Sequence, residues 1–380
     1  MSSTASDAKP SVCFVAPTAY SILSGNRDVK MVGGAELQQV VLARELVARG
    51  YRVSMVCIDH GQEDGVQFDG VSVYKCFNPS QGIPVVRAVY PRLYRIWQAM
   101  RRADADIYFQ RAATRFTGIV ALYAKRKGRK SIYSAANDPD FAPGLPKLKF
   151  GIDKRIFAYG VRNVDSVLVQ NAVQQQILKQ QFGRSSQILP NCLPSAAAAN
   201  NRDRRTVLWA ATFKPEKRPE LFLELARRLP NREFVMVGGP HRGNESVFDA
   251  AKKEAETLQN VRFEGFVPYV DVGKHFSSAA LLVNTSEYEG FPNTFLQAWS
   301  EAVPTLSFLD LSVEHDGDAI SLKVGSMDEL ASATDSLLTR SEDRIRTGRS
   351  ARRYFDATHN VDAVASRLEE TLLNLMKDSA

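Results

Sequence analysis

Short apolar runs of strand length alternate with amphipathic stretches of helix length along this chain, and the alternation starts twice. In the first half, residues 12–15 read as a buried strand. A polar loop follows, ending at Gly33 and Gly34, and then a helix over 35–50 whose Leu37, Val40, Val41, Leu46 and Val47 form one apolar stripe. Gly50 suits its C-terminal stop. Strand 52–57, a helix around 83–102, strand 106–110, a further helix, strand 130–135, a basic helix around 148–161 and strand 166–170 continue the pattern. Residues 195–205, SAAAANNRDRR, are small and polar and make the best candidate linker. Beyond them come strand 206–211, a helix over 217–229 with Leu221, Phe222 and Leu225 inward, and strands 233–239, 261–267 and 279–283. Alternation of this kind builds parallel sheets covered on both faces. With 380 residues the chain also exceeds one comfortable core. The expected class is α/β, with two Rossmann-like domains at 1–195 and 196–360 facing each other across a cleft. The final helix, 361–376, has apolar residues at 361, 364, 368, 372, 375 and 376, a single buried face.

The net charge of +7 hides a split between these halves. Residues 1–195 carry 26 Lys and Arg against 14 Asp and Glu, whereas 196–380 carry 23 against 28. The basic half lacks the usual nucleic-acid motifs, so no nucleic acid is expected as partner; an anionic surface or an anionic acceptor fits better. Stretch 83–102 has five arginines and no acid, interleaved with Tyr90, Tyr94 and Trp97. Stretch 148–161 sets Lys149, Lys154 and Arg155 beside Phe150, Ile156 and Phe157. Basic and aromatic residues on one helix suit contact with an anionic membrane surface. In the alternative, the aromatics pack inward and the arginines are solvated. No apolar run is long enough to span a bilayer. The first ten residues are polar, read as a disordered tail and not a signal peptide. Cys13, Cys57, Cys76 and Cys192 have no paired spacing, which reads as reduced thiols in a cytoplasmic protein.

The most informative stretch is 289–304, EGFPNTFLQAWSEAVP. It follows the buried run at 279–283 and a polar exit at Asn284, Thr285 and Ser286, and it opens a helix at Pro292 and Asn293. Gly290 lets a ligand approach the backbone, and the amides of Phe291, Asn293 and Thr294 face outward. A strand, a glycine turn and a helix N-terminus form an anion site, usually for phosphate. Glu289 and Gln297 flank it, an acid and an amide suited to hydroxyls. Phosphate and hydroxyls together describe a nucleotide sugar. Ligands of open parallel sheets bind beyond the carboxyl ends of strands. Gly33–Gly34, Lys217, Gly238–Gly239 and Glu289 all fall just after strands, so one cleft between the two sheets is the expected site.

Stretch 289–304 resembles the nucleotide-sugar motif of the retaining glycosyltransferases of family 4, which have the GT-B fold. In that motif Glu-Gly-Phe-Pro is followed by four more residues and then a second Glu. Here the first is Glu289 and the second is replaced by Gln297. Residues 211–226, ATFKPEKRPELFLELA, resemble the family's second phosphate element. Lys217 matches its lysine, and its arginine is replaced by Thr212, leaving Lys214 or Arg218 to stand in. The resemblance implies a hexosyltransferase that uses a nucleoside diphosphate sugar and retains configuration by same-face attack, with the leaving phosphate as base. Glu289 and Lys217 are then the catalytic pair. Gly33, Gly34, Gly290, Phe291, Asn293, Thr294 and Gln297 complete the donor site, with Gln297 on the ribose. Phe266 and Val267 sit where relatives hold the base, and the short Asp316-Gly317-Asp318 turn replaces a longer family segment. Asn137 and Asp138 stand where relatives place an acceptor-side histidine or acid. The last helix is expected to return to the first domain.

The same resemblance implies no metal and no cofactor beyond the donor substrate. Asp138-Pro139-Asp140 could be read as a metal-binding aspartate pair, but an Asp-Pro turn accounts for it. His60, His241, His275, His315 and His359 show no ligand spacing. The expected acceptor is a glycan or a lipid-linked glycan in cell-surface polysaccharide or glycolipid synthesis, glycosylated in the cytoplasm or on the inner face of the membrane. Two other classes compete. A nucleotide-sugar epimerase would share the phosphate elements but needs acid–base residues not evident here, and product analysis separates it. A non-catalytic nucleotide-sugar- or protein-binding member would fit the loss of the arginine and of the second Glu, and measured transfer would exclude it.

Overall fold

Two parallel sheets organise the chain. The structure, a computed structural model, describes residues 9–26, 33–80, 92–196, 203–241, 243–311, 313–315 and 317–377. Two compact units result: Met1–Cys192 together with Val361–Ala380, and Leu193–Asn360. The change of unit at Cys192 comes three residues before the break at 195/196 expected from the sequence. Residues 197–202 of the expected linker, 83–91 of the arginine-rich stretch with Tyr90, and Asp316 lie outside the described residues.

The first unit runs β1 (Val12–Val15), α1 (Tyr20–Ser24), α2 (Gly34–Ala48), β2 (Val53–Cys57), β3 (Val66–Phe68), β4 (Val71–Lys75), α3 (Arg92–Ala103), β5 (Ile107–Arg111), α4 (Phe116–Lys127), β6 (Lys130–Ser134), α5 (Gly151–Asn163), β7 (Ser166–Val169), α6 (Ala172–Phe182) and β8 (Gln187–Ile188). Its sheet has the order β3-β4-β2-β1-β5-β6-β7-β8, parallel except for the β3–β4 hairpin. Strands β1, β2 and β5 are buried along their whole length, β1 as an unbroken apolar run and β2 and β5 with Ser54, Gln110 and Arg111 among their buried residues. Gly118 on α4 and Gly160 on α5 let these two helices touch. A Cβ on Gly118 would lie 2.2 Å from the Ile156 carbonyl oxygen, and one on Gly160 2.6 Å from the Gly118 amide nitrogen. The four cysteines are buried free thiols, and burial pushes Cys13 up to about 12.

The second unit runs β9 (Thr206–Ala210), α7 (Pro219–Arg228), β10 (Phe234–Val237), α8 (Glu245–Ala255), β11 (Val261–Gly265), α9 (Tyr269–Ser278), β12 (Ala279–Asn284), α10 (Asn293–Ser300), β13 (Thr305–Ser307), β14 (Glu314–His315), β15 (Asp318–Ala319), β16 (Ser321–Lys323), α11 (Met327–Thr339) and α12 (Ser341–Thr358). The order β11-β10-β9-β12-β13-β16 is parallel throughout, and β14–β15 form a separate antiparallel pair. Trp209, Phe213, Phe222 and Phe234 fill the core on one side of this sheet. The chain ends in α13 (Val361–Lys377), which returns to the first unit. Its Val364, Leu368 and Leu372 are buried, and Glu369 takes Arg49 at 3.1 Å and the Tyr51 hydroxyl at 3.0 Å from the end of α2.

Candidate active site at the strand ends of the second sheet

Strand order reverses direction between β9 and β12, so the loops leaving these two strands splay apart and leave a crevice beyond their carboxyl ends. The loop after β9 carries Lys214 and Lys217, and the loop after β12 carries Glu289 and Gly290. Lys217 closes a 3-10 turn, Pro215–Lys217, that precedes the expected helix, which itself begins at Pro219. The Lys217 ammonium and the Glu289 carboxylate pair directly, with side chains 16% and 18% exposed, and the Ser286 hydroxyl donates to the same carboxylate at 3.0 Å. The sequence assigned these two residues to one site but did not foresee that they neutralise each other.

The two loops are laced together beneath that pair. Thr285 donates its hydroxyl to the Lys217 carbonyl at 2.7 Å and accepts the Trp209 indole N–H at 2.9 Å. The Glu287 amide donates to the Glu216 carbonyl at 2.8 Å. Arg218, at φ 46°, donates Nε to the Thr285 carbonyl at 2.7 Å and Nη2 to the Ser286 carbonyl at 3.2 Å, and its guanidinium lies over the Phe308 ring. These bonds correct the expectation that Arg218 could stand in for the missing family arginine: its fork is committed to loop carbonyls. Lys214 is the more available cation, 4.0 Å from Glu216 and 31% exposed.

Helix α10 starts at Asn293 behind Pro292, with no side-chain cap and no acid in its first turn. Proline at that boundary offers no capping oxygen, and the dipole at this end of the helix favours an anion. Thr294 and Gln297 are half-buried on this helix, whose other face buries Phe295, Leu296 and Trp299. Gly238, at the end of β10, is a glycine for steric reasons: a Cβ would stand 1.7 Å from the Ala211 carbonyl oxygen on the loop after β9. Phe266 lies beside it, 2.8 Å from where a Gly239 Cβ would be.

Gly33 and Gly34 belong to the first unit, at the N-terminus of α2. Glu36 in the first turn of that helix accepts the Thr18 hydroxyl at 2.5 Å, and its Oε2 would meet a Gly33 Cβ at 2.0 Å. A carboxylate already sits against this helix start, where it interacts with the dipole as a phosphate would. A Cβ at Gly33 would meet only the movable end of the Glu36 side chain, so packing does not by itself require glycine there. Asp138 and Asp140 also part company. Asp138 accepts the Gln174 side-chain amide at 2.8 Å. Asp140 is buried, takes the Ala136 amide at 2.8 Å and the Asn137 amide at 3.3 Å, and has its carboxyl titration pushed up by burial. Among the described residues no cluster of three metal-ligand side chains occurs.

Sequence reasoning missed Arg111, which ends β5 at the reversal point of the first sheet. It is buried, donates to Ser134 Oγ at 2.7 Å and to Asn191 Oδ1 at 2.6 Å, and burial lowers it to about 10. A charged residue closing the apolar run DIYFQR was the available signal. Trp97 and Phe157 pack into the first unit, as the solvated-face alternative required, whereas Phe150 and Ile152 stay 63% and 61% exposed.

The model for glycosyl transferases group 1 matches residues 195–354, and that for glycosyltransferase family 4 matches residues 32–195. The chain belongs to the family 4-like GT-B glycosyltransferases. Among solved structures it is similar to a sucrose-phosphate synthase from Thermosynechococcus elongatus, with TM-score 0.77, 15% identity, and coverage of 97% of this chain and 100% of that one. HepE of Anabaena, solved with UDP and glucose, matches with TM-score 0.73, 14% identity and coverage of 96% and 100%. A glycosyltransferase from Rickettsia africae matches with TM-score 0.68, 13% identity and coverage of 97% and 99%. No curated protein matches the sequence.

Proposed function

We propose that this protein transfers a hexose from a nucleoside diphosphate sugar to a hydroxyl of a glycan or lipid-linked acceptor, with retention of configuration and without a metal ion. The observation that carries the reading is the Lys217–Glu289 pair beside the uncapped start of α10, at the strand-order reversal of the second sheet. The α10 amides, with Lys217 and Lys214, meet the diphosphate, whose negative charge grows as the bond from the sugar's anomeric carbon to the phosphate oxygen breaks. The bond's electron pair leaves with the diphosphate. The acceptor oxygen forms the new bond on the same face, and its proton passes to the departing phosphate oxygen. Glu289 orients sugar hydroxyls, and Gln297 binds the ribose. HepE, a structural relative, was solved with UDP and glucose, which supports a UDP-hexose as the first donor to try.

The basic first unit supports a peripheral membrane role for the same enzyme. Lys149 and Arg155 are exposed next to Phe150 and Ile152 at the start of α5, an amphipathic patch suited to an anionic bilayer. Among the described residues no helix is long and apolar enough to cross a membrane.

The test is a panel of UDP-, GDP- and ADP-hexoses, with donor loss followed in the presence of lipid-linked glycan acceptors and of chelator. Product with the donor's anomeric configuration, formed in chelator, is expected. Release of an epimerised nucleotide sugar, or no binding of any donor, would overturn the reading. Activity abolished by chelator and restored by Mg²⁺ would return Asp138 and Asp140 to consideration.

A further inference from the structure

One ring contact joins the sugar-nucleotide motif to the place where the chain enters and leaves the second unit. Leu193, the first residue of that unit, donates its amide to the His359 carbonyl at 3.1 Å and forms an isolated parallel bridge with Asn360. Asn360 donates its side-chain amide to the Ser195 hydroxyl at 3.0 Å, and that hydroxyl donates to Asp356 at 3.0 Å. The incoming and outgoing segments are therefore pinned side by side. From this junction the His359 imidazole, only 2% exposed, stacks on the ring of Phe291 with centroids 4.7 Å apart and planes 29° from parallel. Tyr354 and Trp299 flank the imidazole at 5.3 and 6.3 Å, and Trp299 meets Phe291 edge-on at 5.9 Å.

Phe291 lies two residues after Glu289 and directly before Pro292, the residue that precedes α10. The bonds from Arg218, Thr285 and Lys217 hold the first part of the loop after β12, on the side of β9. The His359–Phe291 stack holds its last part, on the side of α12. Aromatic pairs in this distance range have a preferred geometry and lose it when one ring is removed. The site reading given above uses neither His359 nor the junction.

We infer that His359 is a positioning residue for the donor site: its ring fixes Phe291, and with it the Glu289 carboxylate and the first amides of α10, to the junction of the two chain passages. The inference rests on the donor reading of the motif. Because the pinning of the junction uses the backbone of His359 and not its ring, a side-chain substitution separates the two.

The experiment uses the full chain with His359→Ala and His359→Phe. Amide hydrogen exchange is read over 287–294 and over β9, β10 and β12, together with KM for UDP-glucose and kcat. His359→Ala should speed exchange in 287–294 and raise KM for the donor about two- to tenfold, the worth of one aromatic pair. Exchange in the three strands and KM for the acceptor should stay unchanged. His359→Phe should restore both quantities, since it rebuilds the stack. Unchanged exchange in 287–294, or a loosening spread evenly over β9–β12 that His359→Phe does not reverse, would overturn the inference. If the wild type binds no nucleotide sugar, the donor reading fails, and the exchange measurement still decides whether His359 holds the loop.

Discussion

Replacing Lys217 by Met tests both the packing of the site and its chemistry. The substitution keeps the unbranched stem of the side chain, one atom shorter, and removes the ammonium that pairs with Glu289. The two side chains are 16% and 18% exposed, between the surface pairs worth about 0.2–1 kcal/mol and the buried pairs whose breaking costs about 3–5 kcal/mol. Because the Ser286 hydroxyl still bonds the orphaned carboxylate, a loss of about 1–3 kcal/mol in stability is expected. In the reaction, a charged hydrogen bond to the leaving diphosphate is worth about 2–3 kcal/mol, so kcat/KM should fall about 30- to 150-fold. A double-mutant cycle with Glu289→Gln separates the two contributions. Because Glu289 itself orients sugar hydroxyls, the double variant is compared with Glu289→Gln alone. If Lys217 only neutralises Glu289, adding Lys217→Met to Glu289→Gln costs no further transfer, and if Lys217 also serves the diphosphate, transfer falls again while stability does not. Urea denaturation and initial-rate kinetics with a UDP-hexose are the assays. Near-normal turnover in a folded Lys217→Met protein would refute the argument.

At the family's altered position, Gln297→Glu should tighten donor binding about fivefold by restoring a charge-assisted bond worth about 1 kcal/mol, while Gln297→Ala weakens it; calorimetry with UDP reads both, and a dead Gln297→Glu enzyme would contradict the ribose role. Burial raises the carboxyl titration of Asp140 above 3.8, so the folded chain holds that proton to higher pH than the unfolded chain does. Its contribution to stability is therefore greatest in acid and declines as pH rises through the window just above 3.8, and Asp140→Asn should remove that slope from urea denaturation series between pH 4 and about 6. If the exposed start of α5 meets membranes, sedimentation with anionic liposomes should be measurable at low salt and fade as salt rises, each basic residue giving about 1 kcal/mol. Substituting Phe150 and Ile152 by Ser and Lys149 and Arg155 by Glu should abolish it, and no sedimentation of the wild type at low salt would contradict a membrane role. Arg92 is a poor choice for that variant, because its guanidinium bonds the Pro79 carbonyl at 2.9 Å and covers the Phe77 ring.

Strand and helix content, the double alternation, and the placement of Lys217 and Glu289 just after strands were legible in the sequence, because burial on both faces of a parallel sheet leaves continuous apolar runs such as VCFV and AALLV. The glycine-proline turn before α10 was legible for a similar reason: backbone geometry restricts residue type locally. Pairings between distant loops leave no such mark. That Arg218 spends its fork on the Thr285 and Ser286 carbonyls and that Lys217 meets Glu289 directly both depend on which strands are neighbours. Strand order is set by the packing of the whole sheet. His359 shows the same limit most clearly: in sequence it is a lone histidine 68 residues after Phe291, and only the return of α12 across α10 sets the two rings face to face.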